Sequence, residues 1–351
     1  MLNKDQQQDV AENSTAIQAG GNVTITKAGL TYAEVRAVAL DVAKATLYEL
    51  AEVAKETARA RVEEITEGFL SRLQKEHPAG LEKAHDPDFQ YALFTVQREY
   101  ARSGDKDLGD LLVDLLVDRS KQEQRDILQI VLNESLNTAP KLTESQLAAL
   151  AVIFLFKYTQ NFGVGNHHMF GEYLDRYVSP FASKAVKNLA CYQHLQFSGC
   201  GAIELASNSL ESMLGKAYQG QFLKGFEEKE VADRAVSIGL DRRLFMPCLN
   251  DPSKVQVGVN SKELLDKAFE EYAIPPEDRD KITELFDLGK MNGTEIKDKC
   301  IEIRPYMSGL FETWSESAMK QFSLTSVGIA IGHANIKRLA GEFSDLSIWI
   351  N

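Results

Sequence analysis

The sequence predicts a mainly α protein, with an N-terminal β-strand plus long helix, a helical core, and a small antiparallel sheet in the C-terminal half. Three observations carry this. Apolar residues recur at helical spacing, between capping signals, over most of the chain after residue 30. Ahead of them, in Ala16–Lys27 (AIQAGGNVTITK), Ile17, Ala19, Val23 and Ile25 alternate with polar Gln18, Asn22, Thr24 and Thr26. That period of two gives a strand one buried face. Further on, RRLFMPCLNDPSKVQVGVN at 242–260 reads as two short strands around an Asn250-Asp251-Pro252-Ser253 turn.

The elements follow in order. Residues 1–15 are polar and rich in Gln, Asp and Asn, a composition that buries too little apolar surface to order itself. A lone strand at Ala16–Lys27 leaves backbone donors and acceptors open, so it must pair with something. Nearly everything after it reads as helix, which makes copies in other subunits the natural partners. The residues that would form this interface are Ile17, Gln18, Ala19, Gly20, Gly21, Asn22, Val23 and Ile25. A closed ring or bundle, pairing within the protomer, and an open cross-β stack all satisfy the pattern. The core Ile17-Gln18-Ala19-Gly20 resembles the IQxG or VQxG core of amyloid-forming interaction motifs in signalling proteins, in which Gln and Asn ladders stack in register.

Thr31 with Glu34 forms a capping box. From Tyr32 to Lys75 the only glycine is Gly68 and there is no proline, while an apolar stripe from Val35 to Leu73 advances by a mean step of about 3.8 residues. A single helix of that length would run about 65 Å, suiting a stalk or an intersubunit, coiled-coil-like helix, although no heptad is sustained and the alanine-deep stripe at Thr57–Arg61 leaves a break there open. Beyond His77-Pro78-Ala79-Gly80, helices are predicted from Asp86-Pro87 to Arg102, then at 108–119, 122–136 and 143–158, the last opened by a Thr143/Gln146 box. Later helices are predicted at 169–177, 183–194, 205–218, 227–236, 261–272, 276–288, 294–303, 307–322 and 325–339. The ending DLSIWIN alternates Leu346, Ile348 and Ile350, which reads as a strand closing on Val255–Val259. The units this implies are 1–28 (tail and oligomerising strand), 29–78 (long helix), 79–190 (helical domain) and 191–351 (C-terminal α domain with the small sheet).

Composition narrows the function. A net charge of -12 argues against nucleic acid or an anionic membrane as partner. The most apolar window, Leu147–Phe156, is too short for a bilayer, which needs roughly 20 residues, and reads as a buried core helix. The opening residues lack the apolar run of a secretory signal. Four scattered cysteines suit a reducing cytoplasm better than a disulfide scaffold.

Chemistry-bearing residues are few. Cys191 and His194 stand at i, i+3, with Cys200 beyond, a spacing open to packing, to a nucleophile–base pair, or to a metal that would lack its fourth ligand. His167-His168 follow two loop glycines and precede Glu172, in an order that matches no metal signature. Gly163-x-Gly165 and Gly199-x-Gly201 lack the strand and helix a phosphate loop requires. Gly328 and Gly332 allow close helix packing and leave His333, Asn335, Lys337 and Arg338 on the following turns. There His333 would gain as a cation from the helix C-terminus. Asp110, Asp114 and Asp118, interleaved with leucines, read as a solvated face. The weak catalytic candidates are therefore Cys191, His194, Cys200 and His333, with no metal site and no cofactor indicated.

The block QAGGNVTI followed by GLTYAEVRAVALDVAKATLYEL resembles the N-terminus of an uncharacterised bacterial family, in which a QxGGN strand leads into a GLxYxEVRxxALDV helix. SVGIAIGHANIKR and DLSIWIN extend the similarity towards the C-terminus. In that resemblance the leader also precedes unrelated domains, some in phage-defence settings. It implies a modular oligomerisation header and an antiviral role, with the chain itself and a phage or host protein as partners, and assigns no functional residue. The competing expectation is an enzyme or effector with its site in the C-terminal half.

Overall fold

A computed structural model of the protein describes residues 31–44 and 52–351; the strand read at Ala16–Lys27, and with it Ile17 to Ile25, lies outside these. Thr31 opens the described chain as the capping residue the sequence indicates. Its backbone N–H donates to Glu34 Oε2 at 2.9 Å, and Glu34 N–H donates back to Thr31 Oγ1 at 3.3 Å. The continuous 65 Å helix does not form. Helix α1 (Tyr32–Lys44) and helix α2 (Glu52–Glu76) pack against each other. The Tyr32 hydroxyl and the Arg36 guanidinium both bond Glu67, which in an unbroken helix would lie about 50 Å away.

Local signals set the next helices. Asp86 accepts from Asp88 N–H and Pro87 takes the first position of α3 (Pro87–Ser103), where its missing donor is harmless. Asp105 caps α4 (Lys106–Ser120). Asp126 caps α5 (Ile127–Thr138), which therefore starts five residues after the predicted Gln122. Thr143 and Gln146 complete the box of α6 (Glu144–Tyr158), buried from Gln146 through Phe156. Short helices follow: α7 (His167–Tyr173), α8 (Ser179–Ala182) and α9 (Leu189–Phe197).

Strand β1 (Gly201–Ile203), α10 (Leu210–Ala217) and α11 (Lys229–Asp233) lead to β2 (Phe245–Pro247) and β3 (Val255–Val257), the predicted antiparallel pair. Then come α12 (Lys262–Glu271), α13 (Pro276–Asp287), α14 (Gly293–Ile303), α15 (Met307–Glu316), β4 (Phe322–Leu324) and α16 (Ser326–Ala340). Strand β4 pairs antiparallel with β1 in a second two-stranded sheet. The closing strand is a correction: Leu346–Ile348 is a 3-10 turn, and β3 pairs with β2 instead. The Asp345 carboxylate accepts from Ser347 N–H and bends the chain, so Leu346 and Ile350 are buried while Ile348 points out.

Two apolar cores result. The larger runs from Val35 to Ile350 and holds Tyr192, Phe311 and Ile331 together with Leu112 and Leu150. The smaller gathers Leu223, Phe226, Val257, Leu265, Phe269 and Phe286. At the centre α16 lies on α4, α5 and α6. Its glycines allow two close approaches: a Cβ on Gly332 would stand 3.1 Å from the Leu150 carbonyl oxygen of α6, and one on Gly328 would stand 1.9 Å from the Cys200 carbonyl oxygen in the turn ahead of β1. The GxxxG motif is thus a packing device, as its spacing suggested.

Candidate functional site

Helix α6 ends against the outer edge of β4. Lys157 Nζ donates to the carbonyls of Lys320 and Phe322 at 3.1 and 2.8 Å, and the Tyr158 hydroxyl accepts from Leu324 N–H at 2.8 Å. Side chains thereby cover an edge that would otherwise be open for pairing. Beside this junction lies a cleft of about 1300 Å³, walled by the end of α6 and its following loop, Tyr173 and Tyr177, α10, the first turn of α12, and Phe343, Ile348 and Trp349. Trp349 is fixed there: its Nε1 donates to the Tyr158 carbonyl at 2.9 Å, and its ring stacks on Phe343 with centroids 5.9 Å apart. Burial pushes the Lys157 amine down to about 8, with the Glu204 carboxylate acting in the opposite direction.

Of the four residues singled out as catalytic candidates, Cys191 and His194 share one hollow, which Cys200 and His333 do not line. Cys191 and His194 on α9 border a shallow hollow with Lys141, Ser145 and Asn188. The Gln146 amide holds both, donating to the Cys191 carbonyl at 3.0 Å and meeting His194 Nδ1 at 2.9 Å. Burial raises the Cys191 thiol above its ordinary value, the wrong direction for a nucleophile. Cys200 is fully buried, its thiol pushed up by burial to about 12. His333 lies among Phe154, Phe343 and Trp349, with Nε2 2.6 Å from the Ser344 carbonyl. Burial lowers its basicity and the Ser344 carbonyl only partly restores it, so the cationic role expected near the helix end is corrected to a neutral, packed imidazole.

The adjacent histidines also separate. His167 Nε2 sits 2.9 Å from the Gln221 carbonyl, while His168 faces Glu172 at the surface. Among the described residues no group of three or more His, Cys, Asp or Glu side chains could hold a metal ion.

The most unexpected chemistry is on α4. Its aspartates are not a solvated face: Asp114 and Asp118 are buried, and only Asp110 is exposed. Asp114 takes the Arg72 guanidinium. Asp118 takes Lys121 at 2.6 Å and Lys337 at 3.2 Å, and Lys337 also reaches Glu76 at 3.1 Å. Burial pushes Asp114 up to about 6 despite Arg72 beside it. Burial alone would lower Lys337, yet Asp118 and Glu76 carry it above its ordinary value. A second cavity of about 270 Å³ adjoins this network, bordered by Glu76, Asp118, Lys121, His333, Lys337 and Asp345. Its sequence signal was the Asp110/Asp114/Asp118 repeat running into Arg119; the complementary Lys337-Arg338 pair lay far along the chain.

These elements define a mainly α-helical protein with two small antiparallel sheets and an open, mixed-polarity cleft. A family model described as ":-like" matches residues 29–350, and the chain belongs to that family. No curated protein and no solved structure matches it. Among the described residues no helix is long and apolar enough to cross a membrane.

Proposed function

We propose that this is a homo-oligomeric cytoplasmic interaction protein, assembled through the segment Ile17–Ile25 and acting in antiviral defence with a phage or host protein as its further partner. The observation that carries this is the position of the period-two segment. It precedes the family-matched stretch of residues 29–350, while the described body closes its own core from Val35 onward. A strand pattern ahead of that stretch still needs a hydrogen-bonding partner. The raised thiol of Cys191, and the absence of Cys200 and His333 from the hollow it shares with His194, favour this reading over an enzyme built on those residues.

The test uses the full-length chain. Its mass in solution, by sedimentation or light scattering, is a multiple of 39.1 kDa, and Ile17→Asp or Val23→Asp reduces it to one chain while the thermal unfolding of the body is retained. Charge on the buried face of an intersubunit strand has no alternative partner. A full-length protein that runs as a monomer, or an oligomer indifferent to both substitutions, overturns the proposal.

A further inference from the structure

We infer that the cleft beside the end of α6 binds a small organic anion with a flat, apolar body. The argument begins with charge. The chain carries a net charge of -12, so its overall field repels anions, yet the cleft wall presents Lys157, Lys216 and Lys262 against Glu204 and Glu263. Glu263 is paired with Lys267 Nζ at 2.6 Å, while Glu204 accepts from the Ser323 hydroxyl at 2.7 Å and keeps its charge, which acts on Lys157, so the lysines outnumber the uncompensated carboxylates. Lys216 and Lys262, in contrast, have no carboxylate within 4 Å among the described residues, although Lys262 acts at longer range on the Asp287 carboxylate. Lys262 opens α12, a helix of ten residues whose Ser261 cap also faces the cleft, so the positive end of that helix adds to the lysine charge.

A second, independent observation is a buried hydroxyl without a partner at good hydrogen-bond geometry. Tyr173 lines the cleft and is 6% exposed, and its hydroxyl makes no well-formed hydrogen bond, facing only the hydroxyls of Tyr218 and Thr159. Buried hydroxyls ordinarily find a partner. The flat body of the ligand follows from Trp349, half-buried and pinned by the Tyr158 carbonyl and by Phe343, with Tyr177 on the same wall. A fixed aromatic ring of this kind offers a stacking surface at little entropic loss. A carboxylate and a phosphate satisfy these amines equally well, so the head group is fixed only as an anion.

Calorimetric titration of the full-length chain separates the alternatives. The probes are adenosine 5′-monophosphate and 3-phenylpropanoate as ring-bearing anions, adenosine as a ring without charge, and inorganic phosphate as charge without a ring. The expected result is saturable binding of at least one ring-bearing anion at one site per chain, about tenfold tighter than adenosine or phosphate. Which of the two binds identifies the head group. The affinity weakens as salt rises from about 50 mM to about 300 mM, and Lys216→Ala with Lys262→Ala weakens it by about tenfold, with thermal unfolding unchanged. Absence of saturable binding by both anions, or binding that ignores salt and the lysine replacements, overturns the inference. It stands apart from the assembly reading: Ile17→Asp should bind the same ligand as the wild type, and a monomeric wild-type chain that binds leaves this inference intact.

Discussion

Helices α4 and α6 share the centre of the molecule and are both buried for most of their length, but they achieve it by opposite chemistry. From Leu147 to Leu155 α6 offers only Leu, Ala, Val, Ile and Phe to its neighbours. From Leu111 to Ser120 α4 buries four leucines together with Asp114, Asp118 and Arg119. The apolar helix needs only surfaces of the right shape. The charged one needs a particular partner for each group: Arg72 for Asp114, Lys337 and Lys121 for Asp118, and Asp88 with Asn133 for Arg119. Burial in this protein follows the presence of a counter-group, not the polarity of the residue.

Substitutions can break that comparison at either helix. The largest effect is expected on α6, where Leu150→Ala empties a fully buried site against α16 and lowers stability by about 4 kcal/mol in urea unfolding. Arg119→Ala comes next, at about 3 kcal/mol. It removes a guanidinium that is 1% exposed, and its partner Asp88 is half in water, which limits the penalty for the carboxylate left behind. A loss below about 0.5 kcal/mol, the range of an ordinary surface change, would show that the α4 charges are not structural.

Asp114 sharpens the contrast through pH. Its carboxyl is raised from the ordinary 3.8 to about 6, so the folded state holds the proton more tightly than the unfolded chain does. Stability from this group is full below about pH 4 and is lost as pH rises through about 6. Asp114→Asn, a permanently uncharged mimic, should therefore gain on the wild type by about 2 kcal/mol between pH 4 and pH 7. Thermal unfolding across that range checks it, and a constant difference refutes it. The smallest effect is at Gly68 on α2, where an added Cβ meets nothing within 4 Å. Gly68→Ala should raise stability by about 1 kcal/mol through helix propensity alone.

The same contrast explains what the sequence made legible. Helix α6 and its Thr143/Gln146 box could be read because the apolar run and the cap are contiguous. The β2–β3 pair could be read from the turn between its strands. The β1–β4 sheet could not, since each strand is three residues long and Gly201 pairs with Leu324 far down the chain. The aspartates of α4 were misread for the same reason: Lys337 is 219 positions from Asp118. The end of the first helix was missed because the apolar stripe alone does not say where a chain folds back on itself. The cleft left no motif at all, being assembled from α6, α10, α12, β4 and the C-terminal segment, while the i, i+3 spacing of Cys191 and His194 was visible but their surroundings were not.

Helix α16 has a consequence for biogenesis. Its residues 326–340 supply a wall for α4, α5 and α6, so those three helices emerge from the ribosome with the Leu150 side uncovered and stay so until nearly all of the following 170 or so residues are made, about 10 to 30 s at ordinary elongation rates. Long-range closure of this kind slows folding and lengthens exposure to aggregation. A chain interrupted before residue 326 would present that sticky surface to chaperones and proteases, which makes completion of α16 the step that decides whether the nascent polypeptide survives.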